Sequence, residues 1–155
     1  MPRPPAPASI RRIFHTLIQW RDGIDALMNT LQPLAALLAR LYVAQVFFAS
    51  GLTKLRDWDI TLSLFTDEYK VPFLSPTVAA FMGTAGEIGL PVLLVLGLGG
   101  RFAALGLCVV NVVAVVSLAE IAPAALQQHI TWGVVLAALA IFGSGPWAAD
   151  RWLKK

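Results

Sequence analysis

Across residues 77–98 the chain carries one ionisable side chain, Glu87, set in the run Gly83-Thr84-Ala85-Gly86-Glu87-Ile88-Gly89-Leu90-Pro91. An apolar run of that length matches the roughly 20 residues that carry a helix across a hydrocarbon core of about 30 Å. An acid at such a depth is costly and is normally held by a partner facing the bundle interior, which makes it a candidate functional site. Pro91 adds to the demand, because its ring displaces the carbonyl of Glu87 four residues back and offers no N–H in exchange. Side-chain and backbone acceptors thus coincide at one point, and a donor must reach it in a low-dielectric setting.

Composition agrees with a membrane setting. The chain is 57% hydrophobic and 14% charged, with a mean hydropathy of +0.71, too apolar for an ordinary soluble domain. The single cysteine, Cys108, rules out an intrachain disulfide or a thiol relay within the chain. With only His15 and His129 beside it, a Cys/His metal cluster lacks ligands. The formal charge of +3 comes from Lys and Arg flanking apolar segments, and no basic face with interleaved aromatics points to nucleic acid.

The fold expected is all-α: an integral membrane antiparallel four-helix bundle with spans near residues 34–53, 77–98, 102–120 and 129–147. Residues 1–9 are rich in proline and predict a mobile tail without a signal-peptide core. Residues 10–31 place apolar side chains at helical spacing, interrupted by Arg11, Arg12, Arg21, Asp22 and Asp25, and predict an amphipathic helix lying in the membrane surface. Residues 1–32 thus form a tail and interfacial helix, residues 33–150 a membrane domain opened by Pro33, and residues 151–155 a basic tail. Residues 54–76, polar and aromatic, predict a short surface helix in a folded cap. A short polar loop through Gln127 and Gln128 precedes the last span. Arg3, Arg11, Arg12, Arg21, Arg101, Arg151, Lys154 and Lys155 fall on one side and only Lys54, Arg56 and Lys70 on the other, which predicts both termini in the cytoplasm.

A helix rise of about 1.5 Å per residue places Glu87 and Gln45 near ~16 Å from the inner boundary, Asn111 near ~13 Å and Arg40 near ~9 Å. This predicts a buried polar layer of Arg40, Gln45, Glu87 and Asn111, in which Arg40 pairs with Glu87 and the two amides complete the hydrogen bonds. Register locking between helices is the plain alternative. A second set, Lys54, Glu120, Gln128 and His129, falls near the outer surface, where it either caps helix ends or, through His129, passes protons. Gly83, Gly86 and Gly89, with Pro91 beyond them, form a candidate ligand groove, the alternative being close helix contact. Trp132 reads as an interfacial anchor and Cys108 as a packing residue.

Arg40, the stretch Phe47-Phe48-Ala49-Ser50-Gly51-Leu52-Thr53-Lys54-Leu55, Gly86-Glu87, Gly97 and Arg101-Phe102-Ala103-Ala104 together resemble the DoxX family of small bacterial membrane proteins, over roughly residues 34–150. The resemblance implies a four-helix protein of the bacterial inner membrane that works beside partners in redox, oxidative-stress or metal-stress assemblies. It implies no single activity, and this chain lacks the cysteine pairs that direct thiol exchange requires.

Three functions fit these readings. The first is an accessory subunit of a membrane redox or stress-defence complex, with quinone as the cofactor class and lipid, protein partners or further copies as neighbours. The second is a small transporter or channel, disfavoured because no broken half-helices repeat across the two halves. The third is a passive scaffold for partner proteins. A standalone enzyme lacks support, since no nucleophile and base arrangement or phosphate loop is present.

Overall fold

The computed structural model describes residues 8–153, so the proline-rich start of the chain and Lys154 and Lys155 lie outside the described residues. Within them the protein is helical throughout: α1 (Ala8–Arg56), α2 (Trp58–Asp67), α3 (Pro76–Leu96), α4 (Gly100–Val116), α5 (Pro123–Phe142) and α6 (Asp150–Leu153). Three helices are long and apolar enough to cross a membrane, namely Leu17–Arg56 within α1, Pro76–Leu96 and Pro123–Phe142. The apolar α4 has 17 residues, at the short end of what spans a bilayer.

Local chemistry sets the helix ends. The Asp57 carboxylate accepts from the Ile60 N–H and starts α2, while Ser75 with Pro76 behind it starts α3. Gly97 ends α3 in the left-handed region, at φ 71°, where a side chain would be strained and would collide with Ala148 and the Arg40 guanidinium. Pro123 opens α5 six residues ahead of the expected start of that span, so Gln127, Gln128 and His129 are helical and no polar loop runs through them. The helix also stops earlier than expected, at Gly143, and α4 ends at Val116 rather than Glu120.

The break expected at Pro33 is absent. α1 runs unbroken through it for 49 residues, about 74 Å at the α-helical rise and more than twice a hydrocarbon core. The separate interfacial helix expected over residues 10–31 is not formed: those residues and the first span belong to one continuous helix. Every described side chain in residues 17–32 is exposed, so this half stands clear of the bundle.

The second half of α1 packs antiparallel to α3. Gly51 lies against Ile88 and the Glu87 Cβ at one end, and Arg40 lies beside Gly97 at the other. α3 and α4 approach where Gly106 meets Leu90 and Gly86 meets Val110. Val43, Phe47, Leu94, Ala103, Ala104, Leu107, Leu136 and Leu139 form the shared core. Lipid is as apolar as these side chains, so the small residues that let backbones come close, more than hydrophobic burial, hold such a bundle together. Phe81, Phe102, Val109, Val134 and Phe142 face outward, as lipid-facing positions do. Phe65, Ala79 and Ala80 seat α2 on the first turns of α3. At the opposite end the segment after α5 folds back: Asp150 donates its N–H to the Gly97 carbonyl, and its carboxylate accepts from the N–H groups of Gly99 and Gly100 at 3.0 and 3.3 Å.

Candidate functional site

α1, α2, α3, α4, α5 and the linker after α2 line a largely apolar cavity of about 660 Å³. Its polar lining residues are few: Ser50 and Lys54 from α1, Tyr69 from the linker, Glu87 from α3, Ser117 after α4 and His129 from α5. The Lys70 N–H donates to the Ser117 carbonyl at 2.8 Å and ties the linker to the end of α4 on this side.

Lys54 is the donor that Glu87 requires. Its ammonium donates to Glu87 Oε2 at 2.6 Å and to Ser50 Oγ at 2.9 Å, and the two charged side chains are 19% and 10% exposed. The pair is possible because Gly51, one turn before Lys54, has no side chain: a Cβ there would stand 2.8 Å from Ile88 Cδ1 and hold α1 away from α3. Ser50 and Lys54 are four residues apart on one face of α1, so the hydroxyl oxygen accepts a second hydrogen bond from the ammonium.

The expected Arg40–Glu87 pair is not formed. Arg40 lies near the other end of the bundle, 1% exposed, where its Nη2 donates to the Trp147 carbonyl at 3.3 Å. Nε and Nη1 make no hydrogen bond among the described residues. Its guanidinium lies beside Gly97 at the C-terminus of α3, where the helix carries partial negative charge. The antiparallel register of α1 on α3 decides the partners: residue 51 meets 87 and 88 while residue 40 meets 97, so Lys54 falls within reach of Glu87 and Arg40 does not. Gln45 is exposed on the outer side of α1 and takes no part in a buried layer.

Asn111, 5% exposed, is bonded to His129 instead. Asn111 Nδ2 donates to the His129 backbone carbonyl at 2.9 Å, and its Oδ1 lies 2.8 Å from His129 Nδ1. Since only the amide nitrogen can donate to a carbonyl, Oδ1 must accept, and the hydrogen is assigned to Nδ1 of His129. A neutral His129 then keeps its lone pair on Nε2. Trp132 is edge-on to His129 at 5.0 Å and to Phe47 at 6.0 Å, and forms part of the cavity wall.

The outer polar set is divided. Lys54 and His129 both line the cavity, whereas Glu120 and Gln128 are exposed outside it. The glycines are divided too: Gly83 lines the cavity, Gly86 packs on α4, and Gly89 is exposed and meets nothing. Pro91 is buried in an unbroken α3, away from the cavity. The expected groove of Gly83, Gly86, Gly89 and Pro91 therefore does not exist as one surface. Spacing of three residues turns each glycine about 60° from the last, which carries the row off any single face.

Tyr69 escaped the sequence reading as a site residue. Burial first, then the carboxylates of Glu87 and Glu68, hold its phenol above the ordinary tyrosine range and keep it protonated as a donor. Its ring lies 5.0 Å from Phe65. Lys54, Glu87 and His129 were each singled out in the sequence, though in separate sets, whereas nothing local in the linker points to Tyr69.

The DoxX family model matches residues 35–120, more than half of the chain. The chain belongs to the DoxX family. The matched DoxX region contains Lys54, Tyr69, Glu87 and Asn111 and stops short of His129 and Trp132. Comparison with curated proteins and with solved structures gives no match.

Proposed function

We propose that this DoxX-family membrane protein is an accessory subunit of a redox or stress-response assembly, and that its cavity receives the head group of a quinone. The observation that carries the reading is the Lys54–Glu87 pair on the wall of a largely apolar space of about 660 Å³. Ligand sites of this kind combine apolar walls with a few placed polar groups. A quinone carbonyl needs a donor, which Lys54 or Tyr69 supplies, and a reduced head group needs a proton acceptor, which His129 supplies through Nε2. The family resemblance favours a bacterial inner-membrane location. The excess of Lys and Arg near the two ends of the chain favours cytoplasmic termini.

The test is extraction of the full chain from native membranes in mild detergent, followed by identification of bound quinone and proteins. Quinone held by the wild-type protein and lost from a folded Glu87→Gln variant supports the proposal. Equal quinone in both, at the level of bulk lipid, refutes it.

A further inference from the structure

We infer that α1 is the interface between two copies of this chain, joined as a parallel coiled coil along the face that the bundle leaves uncovered. Leu17, Ile24, Leu31 and Leu38 recur every seven residues, and Trp20, Leu27, Leu34 and Leu41 follow each of them by three. This is the alternation of three and four that interlocks side chains between supercoiled helices. Each of the eight is at least 42% exposed.

The polar residues of the projecting half keep off this seam. Gln19, Asp22, Asp25, Asn29 and Gln32 fall on the opposite face, as does Pro33, whose ring therefore does not obstruct a partner helix. Ile18 is the one large apolar side chain on that polar face. Arg21 borders the seam, and its charge is met within the helix by Asp22 and Asp25 at 3.1 and 3.8 Å. No like charges meet when two such helices are aligned.

Further along α1 the roles of the faces persist. Arg40, Val43, Ala44 and Phe47 turn inward to the bundle, while Leu38 and Leu41 continue the seam on the outside. The next seam position is Gln45, an exposed amide in the half of the helix that packs in the bundle. In a parallel pair two Gln45 side chains meet and exchange hydrogen bonds, and a polar residue at such a position fixes register.

A second copy fits this face better than a lipid surface does. α1 is continuous through Pro33 and every described side chain of residues 17–32 is exposed, so its first half extends beyond the bundle with this face free. All copies of a membrane protein inserted by one route share one orientation, which makes neighbouring α1 helices parallel and brings like positions level. In that arrangement a seam of leucines repeating at seven residues is self-complementary.

Disulfide mapping in native membranes tests this with the full chain. In a Cys108→Ala background, Leu27→Cys and Leu34→Cys report on the seam, and Asp22→Cys and Asn29→Cys on the opposite face. Under mild oxidation the seam variants are expected to yield a product of twice the chain mass, about fivefold or more above the opposite face. Adding Leu31→Asn, which lies outside the cavity and the bundle core, should lower the Leu27→Cys yield severalfold while leaving the melting temperature of the bundle unchanged. Equal yields on both faces, no product from the seam, or a product of another mass would overturn the inference.

Discussion

Lys54 and Glu87 meet at 2.6 Å across the contact between α1 and α3, at the one level where Gly51 lets the two backbones close. Removing either partner leaves the other charge in a largely buried position, which costs about 3 kcal/mol. Lys54→Met and Glu87→Leu should each lower detergent-phase thermal stability by that order. The double variant should recover most of the loss. Additive losses in the double-mutant cycle would show that the pair is not coupled.

Gly51 is the steric condition for that pair. Its added Cβ would lie 2.8 and 2.9 Å from two side-chain carbons of Ile88 and 3.1 Å from the Glu87 Cβ. Gly51→Leu should therefore destabilise by about 1–3 kcal/mol or more through overpacking. Gly89→Leu, at an exposed position that meets nothing, should leave stability nearly unchanged. Thermal unfolding of the two variants side by side checks the contrast.

The helical composition, the family and the polar character of Glu87 were all legible in the sequence, because each depends on residue type along a short stretch. The partner of Glu87 was not. Placing residues by depth put Arg40 and Glu87 within reach, but depth fixes only one coordinate, and the antiparallel register set by Gly51 and Gly97 moves Arg40 to the far end of α3. Gln45 was placed level with Glu87, but the register that sets Gly51 against Glu87 and Arg40 against Gly97 moves it toward the Arg40 end, and it faces outward. Pro33 looked like a helix start, yet α1 runs through it. The cavity itself, drawn from five helices and a linker, has no signature in any one segment.

Arg40 makes one hydrogen bond, to the Trp147 carbonyl, and no carboxylate compensates its charge among the described residues. A buried charge in that position is often replaced by an apolar side chain of similar volume without loss. Arg40→Met is expected to be neutral or stabilising in thermal unfolding, whereas Arg40→Ala, which leaves a void, should lower stability by about 2 kcal/mol.

Asn111 fixes the His129 ring. Asn111→Leu removes both hydrogen bonds and should cost about 1–3 kcal/mol. Nitrogen NMR of the imidazole should report hydrogen on Nδ1 in the wild-type protein and a mixture of tautomers in Asn111→Leu. An Nε2–H tautomer in the wild type would contradict the assignment.

Tyr69 gives the alkaline behaviour a sign. Its folded-state titration is shifted upward, by burial first and then by Glu87 and Glu68, so the folded protein holds this proton more tightly than the unfolded chain. Its contribution to stability is present below about pH 10, the ordinary tyrosine range, and is lost as pH rises above it. The decline in melting temperature at alkaline pH should be shallower in Tyr69→Phe. Identical alkaline limbs would remove Tyr69 from the account.

Whether the Lys54–Glu87 pair holds quinone is measured by the quinone content of the purified chain in four forms: wild type, Lys54→Met, Glu87→Gln and Arg40→Met, each shown to be folded by its melting transition. Bound quinone is expected in the wild type and in Arg40→Met, with its loss from both Lys54→Met and Glu87→Gln. Quinone retained without the Lys54–Glu87 pair, or lost only when Arg40 is replaced, would contradict that role.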